Sequence, residues 1–258
     1  MNQHLHNILG FFPRRINHYI WKRREAERLE KFRDIHKDED CFIIGNGPSL
    51  NQMDLGLLND YYTFGLNKIY LLFDRTGLNI DYHACINRFV IEQSAPQFKE
   101  MSCQSFLSYK YRDRRLKNMD KVYLLGDARS KHKFFTDITE GISPGNTVTF
   151  VAMQIAFFMG FKNVYLIGVD HNFKDKGNPH EVQVMKKDDQ NHFDPGYFKG
   201  HQWQLPDLPG SEVSYLMAKE AFDKNGRNIF DATVQGKLTI FPKVTFEEVL
   251  KTTKKKKL

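Results

Sequence analysis

The 258-residue chain is 41% hydrophobic and 27% charged, the balance of a globular protein with one large core and short appendages. No window offers the ~18 uninterrupted apolar residues of a membrane-spanning helix, and three scattered cysteines (Cys41, Cys85, Cys103) exclude a disulfide scaffold or a Cys-rich zinc site. The net charge of +7 lies at the ends: residues 1–33 hold eight Lys/Arg against three Glu, 251–258 hold five Lys, and 34–250 are left at −3. A nucleic-acid-binding fold carries its basic stripe on the body, so no nucleic acid is expected as partner.

Residues 4–33 predict one or two helices broken near Pro13, with Leu5, Ile8, Leu9, Phe12, Ile16, Tyr19 and Ile20 at helical spacing before WKRREAERLEKFR. Two readings stand for this segment. Either its apolar face packs on its own domain or on a second subunit, or it lies in a lipid interface. The basic ends, 1–33 and 251–258, fit an anionic membrane surface, with solvated tails as the plain alternative. The opening residues lack the charged-then-apolar order of a secretory signal. The expectation is a cytoplasmic protein, peripheral on the inner face of the plasma membrane.

From residue 41 the pattern alternates β with α. Strands are predicted at 41–44, 63–66, 82–85, 105–107 and 122–125, and 163–169 (NVYLIGV) is the clearest buried run. An apolar helix is predicted at 147–159, stopped by Gly160, then a helix at 211–225 capped by Ser211, and a late strand at 228–230. Such alternation predicts an α/β fold: a single Rossmann-like domain over 41–250 with a mostly parallel sheet. Residues 1–40 form a basic helical extension, and 251–258 a polybasic tail.

Chemistry gathers where the predicted strands end. Gly45-Asn46-Gly47-Pro48-Ser49-Leu50 follows the first strand directly. Gly45 and Gly47 allow a tight turn and a close backbone approach, and Ser49 is placed to cap a helix over the Leu50–Leu58 region. The next two strands each end in an asparagine, Asn67 and Asn87. Carboxamides at three successive strand ends suit a base, a ribose or a phosphate without added charge, although each is equally at home as a turn residue. Ser143, Gly145, Asn146 and Thr147 precede the apolar helix, either as phosphate or acceptor contacts or as an ordinary cap. Asp170 ends the strongest strand. The polar segment 174–210 is too long for a simple connector and reads as an active-site loop. Within it His192 is the candidate general base, with His171, His180 and His201 as rivals.

Taken together these motifs resemble bacterial lipo-oligosaccharide sialyltransferases and the related 6-hydroxymethylpterin diphosphokinase-like proteins. The resemblance runs from about residue 41 to 232 and rests on GNGPSL at 45–50, Asn67, Asn87, FVAMQIAFFMGFKNVYLIGVD at 150–170 and NHF at 191–193. The sialyltransferase side implies an inverting transfer from a CMP-sugar (sialic acid or another acidic keto-sugar) to a surface glycan or glycolipid, with no metal and no cofactor. Asn46, Ser49, Asn67 and Asn87 would hold the donor, and His192 would deprotonate the acceptor. The family's tyrosines after the late strand are replaced here by His171, Asn172 and Phe173, which moves their phosphate role to Tyr197. The family's arginine is also missing, with Gly141 and Ile142 in its place. The pterin-kinase side implies Mg-ATP, for which carboxylates must hold the metal. The DxD Asp38-Glu39-Asp40 precedes the first strand, on the wrong side of the sheet, which leaves Asp170 and Asp189. A non-catalytic nucleotide-sugar binder at the membrane is the third reading. A homo-oligomer is compatible with all three.

Overall fold

The computed structural model describes residues 18–128, 130, 133–174 and 177–256. Seven strands form one parallel sheet: β1 (Asp40–Ile44), β2 (Tyr62–Leu66), β3 (Tyr82–Cys85), β4 (Gln104–Ser108), β5 (Val122–Leu125), β6 (Asn163–Ile167) and β9 (Asn228–Asp231). Their spatial order is β5-β4-β3-β2-β1-β6-β9. The strands are short, apolar and buried because both faces of the sheet are covered. A hairpin of β7 (Val182–Val184) and β8 (Gln202–Gln204) stands apart from the sheet, inside the long 174–210 segment. The expected Rossmann-like α/β domain is the observed one, and each predicted strand lies within a residue or two of its place.

Two helices cover one face: α2 (Val148–Phe158), which is buried along nearly its whole length, and α3 (Leu208–Lys224). The other face carries α1 (Arg88–Glu100), which has no counterpart among the elements read from sequence, and α4 (Phe246–Thr252), closed by a Thr245/Glu248 capping box. Three local expectations are corrected. No α-helix runs from Leu50 to Leu58; two 3₁₀ turns, Pro48–Gln52 and Leu55–Asp60, take its place. The strand expected over 163–169 stops at Ile167, because Gly168 turns the chain at φ +66°. α3 begins three residues before Ser211, capped by the Asp207 side chain, while the Ser211 hydroxyl donates back to the Asp207 carbonyl.

The basic extension is not a separate body over its described part. Residues 18–30 are helical, with a π-helical turn at Lys22–Ala26. Trp21, Ala26, Leu29 and Phe32 are buried in the same core as α2. The Trp21 indole N–H donates to the Leu124 carbonyl at 2.6 Å. Its ring also lies where Gly126 leaves room; a Cβ there would come within 2.3 Å of Trp21 Cδ2. Phe32 meets Tyr123 edge to face at 4.7 Å. The apolar residues from Trp21 to Phe32 thus cover the sheet, whereas of the residues assigned to a lipid-facing stripe Tyr19 is exposed and Ile20 half-buried. The part of that reading placed on 4–17 lies outside the described residues. At the other end, Lys255 pairs with Asp60 at 2.5 Å and Lys256 with Asp81 at 3.0 Å, at the amino edge of the sheet. Among the described residues no helix is long and apolar enough to cross a membrane.

Candidate active site

Strand order reverses between β1 and β6, and the crevice beyond their carboxyl ends is where open α/β sheets place ligands. The two loops leaving these strands are laced together. Gly45 N–H donates to the Ile167 carbonyl and Gly47 N–H to the Gly168 carbonyl, both at 2.8 Å. A Cβ on Gly45 would come within 2.3 Å of the Gly168 oxygen, and one on Gly47 within 1.8 Å of Asp170 Oδ2. Each position therefore needs glycine for loop-to-loop contact, before any ligand is considered.

The cleft encloses ≈ 150 Å³. That is below the ~300–1,000 Å³ of a small-molecule pocket, so a nucleotide-sized ligand extends from it into solvent. Gly45, Asn46, Gly47, Asn67, Asn146, Thr147, Asp170 and His192 all line it. The Oδ1 atoms of Asn46 and Asn67 are buried and have no hydrogen-bond partner. Buried acceptors left unmade are costly, and here both belong to residues lining one concavity, an acceptor pair that fits a ligand offering N–H or O–H groups. Asn67 is fixed through its backbone instead. Its N–H donates to Ala84, its carbonyl oxygen lies 2.8 Å from His83 Nε2, and its φ of +49° turns it at the end of β2.

The remaining sequence candidates stand outside the lining. Asn87 caps α1, its Oδ1 accepting from the Phe89 and Val90 amides at 2.9 and 3.3 Å. Ser49 is buried and donates through N–H and Oγ–H to Asp170 at 3.0 and 2.6 Å, so it orients that carboxylate and caps no helix. Burial pushes the Asp170 carboxyl above the usual range although the Ser49 bonds pull it down. Ser143 is buried, its backbone clamped by the Gln154 amide. Gly145, at φ +53°, packs against Phe150 and Ser214. Tyr197 is buried beneath the cleft, its hydroxyl accepting from the Lys68 amide at 3.0 Å.

Tyr197 serves the site indirectly. Its ring stacks on the His192 imidazole at 4.2 Å and 8°. The Lys68 ammonium, buried and pushed down to about 8 by desolvation, donates to the Tyr197 carbonyl at 2.7 Å. His192 Nδ1 lies 2.8 Å from Oδ2 of the fully buried Asp189, whose Oδ1 accepts from the Asn191 amide. A carboxylate only accepts, so Nδ1 carries the hydrogen and Nε2 keeps its lone pair for the cleft. Phe193 N–H donates to the Asn46 carbonyl at 2.9 Å, and Asn51 Nδ2 to the Phe193 carbonyl at 2.9 Å. These bonds tie the imidazole-bearing loop to the glycine loop. The long segment is packed as well, with Phe193, Tyr197, Phe198 and Trp203 buried in the core on the α1 side.

Sequence reasoning did not identify Asp189 as the partner of His192, although an acidic residue three positions before a histidine in a polar loop is a legible signal. It also did not identify Thr149, Ser211 and Tyr215, which line the cleft from α2 and α3. These residues belong to the far wall, and helical spacing alone does not say which helix face meets a cleft.

The 6-hydroxymethylpterin diphosphokinase MptE-like family model matches residues 16–176, which include both glycine-loop strands and end before Asp189 and His192. No curated protein matches the chain. The solved structure of the MAf glycosyltransferase from Magnetospirillum magneticum AMB-1 is similar at 13% identity and a TM-score of 0.54, covering 90% of this chain and 39% of that one. The chain thus spans well under half of that protein, and the likeness is one of fold. With more than half of its length matched by the family model, the chain belongs to the 6-hydroxymethylpterin diphosphokinase MptE-like family.

Proposed function

We propose that the protein is a metal-independent, inverting glycosyltransferase that moves an acidic keto-sugar from a CMP ester to a hydroxyl of a surface glycan or glycolipid. One observation carries the reading: the Asp189-held imidazole of His192 lines the same cleft as the two partnerless carboxamide oxygens of Asn46 and Asn67. Those oxygens accept from the donor's base or ribose. His192 Nε2 takes the acceptor's hydroxyl proton as its oxygen attacks the anomeric carbon. The bond from that carbon to the phosphate oxygen breaks, and CMP departs with the electron pair. No covalent intermediate is needed, so configuration inverts.

The family's name points to a second reading, transfer of diphosphate from Mg-ATP. A metal-held triphosphate asks for carboxylates converging on its phosphates. Asp170 is the one acid among the described lining residues, and both its oxygens are engaged by Ser49.

A thermal-shift panel of CMP, CDP, UDP, GDP and ATP, each with and without Mg²⁺, separates the readings. At 100-fold excess over Kd a ligand stabilises by ~2.7 kcal/mol, a rise of several degrees. CMP is expected to give the largest shift, equal with and without Mg²⁺. A response to ATP only with Mg²⁺ establishes the kinase reading instead, and no response to any nucleotide removes both.

A further inference from the structure

The cleft is poor in positive charge. Among its described lining residues there is no Lys or Arg, and Asp170 adds a carboxyl. Amides alone can hold a resting phosphate, but a leaving group whose charge grows is better met by an ionisable donor, and the lining offers two, His171 and His192. His192 must enter the reaction neutral if it is the base. His171 remains.

Its setting is specific. His171 follows Asp170 just beyond β6 with φ +53°, a left-handed conformation uncommon outside glycine. Its ring is 9% exposed, with Nε2 2.9 Å from Glu212 Oε1 in the first turns of α3 and Tyr215 edge-on at 6.3 Å. With Nε2–H directed at Glu212, Nδ1 is the nitrogen left for a ligand, and a phosphate oxygen there is met by a second ring proton taken up together with the anion. The N-terminal turn of the eleven-residue α2, capped by Thr147, opens on the same cleft and adds the positive end of a helix dipole.

We propose that His171, held by Glu212, is the phosphate-binding residue of this cleft, its Nδ1–H donating to a non-bridging oxygen of a nucleoside monophosphate. The inference rests on the nucleotide reading given above. When the bond from the anomeric carbon to the phosphate oxygen breaks, the electron pair stays on the phosphate and its charge grows from −1 to −2. The imidazolium keeps its proton and faces that growing charge. The cleft then holds two imidazole–carboxylate pairs with opposite duties: His192–Asp189 accepts a proton and His171–Glu212 supplies charge.

Calorimetric titration of the full chain with CMP and with cytidine isolates the phosphate's share of binding. Wild type is expected to prefer CMP by roughly tenfold or more, the scale of a charge-assisted hydrogen bond. His171→Ala should remove most of that preference and leave cytidine affinity unchanged, and Glu212→Gln should remove part of it. His171→Asn, whose side chain tolerates the left-handed backbone, gives the same reading should the alanine variant fold poorly. A CMP-to-cytidine ratio that survives in His171→Asn overturns the assignment while the nucleotide reading stands. Absence of binding by both ligands to wild type overturns the two together.

Discussion

On the proposed mechanism His192 serves as the base because its neighbours settle its tautomer and its tilt. Asp189 fixes the proton on Nδ1, and the Tyr197 ring lies flat against the imidazole. Replacing His192 by Ala should lower CMP release from a CMP-activated acidic sugar by about 100-fold or more while CMP affinity is retained. Asp189→Asn preserves the shape but can donate to Nδ1 and hold the wrong tautomer, so its kcat should also fall, again with little change in nucleotide affinity. Wild-type turnover in both variants would remove the pair from the mechanism. The asparagines show where residue-level reading succeeds and where it stops. Asn46, Asn67 and Asn87 look alike in sequence, each closing a strand. Asn87 is followed by a helix whose first amides consume its Oδ1, whereas Asn46 and Asn67 keep theirs unbonded. A capping asparagine and one whose oxygen stays unbonded differ only in what the next three residues do.

At the scale of elements, the terminal helix illustrates a similar ambiguity. Apolar residues on one helix face, flanked by Arg and Lys, describe a helix on lipid and a helix on a sheet equally well. The deciding position was remote: Gly126, past β5, leaves the gap that Trp21 fills. Trp21→Ala removes a fully buried indole and should cost about 3–5 kcal/mol, read as a fall in Tm on the order of 10 °C. A shift within one or two degrees would mean that this helix is dispensable to the core. Strand positions were legible because buried parallel strands read as continuous apolar runs. The α3 start was not, because Asp207 and Ser211 are both good caps and Pro209 suits a first turn, which lets the helix begin a turn earlier.

For the whole molecule, the charge map changes once it is folded. Over its described part the basic tail does not stand away from the acidic body: Lys255 and Lys256 meet Asp60 and Asp81 ahead of β2 and β3, at the edge opposite the cleft. The buried Lys68 adds a pH dependence of its own. Desolvation holds its folded-state pKa at about 8 against the ordinary 10.5. Between these values the unfolded chain binds more protons, so stability from this group rises with pH. Below about 8 the cost of the buried charge is present in full, and above 10.5 it is gone. The unfolding free energy of wild type relative to Lys68→Met, from urea titrations at pH 7 and pH 10, should therefore grow toward pH 10. A difference constant with pH would show that the ammonium is not desolvated.

The single bond from Phe193 N–H to the Asn46 carbonyl also bears on how this scaffold evolves or is engineered. On the proposed mechanism it makes the spacing between leaving group and base a dimension of the main chain, set before any ligand arrives. A bulkier donor admitted by reshaping the glycine turn would drag the imidazole with it. New donor specificities should thus arise on the α2–α3 wall, where side chains can be exchanged without retuning the proton-transfer distance.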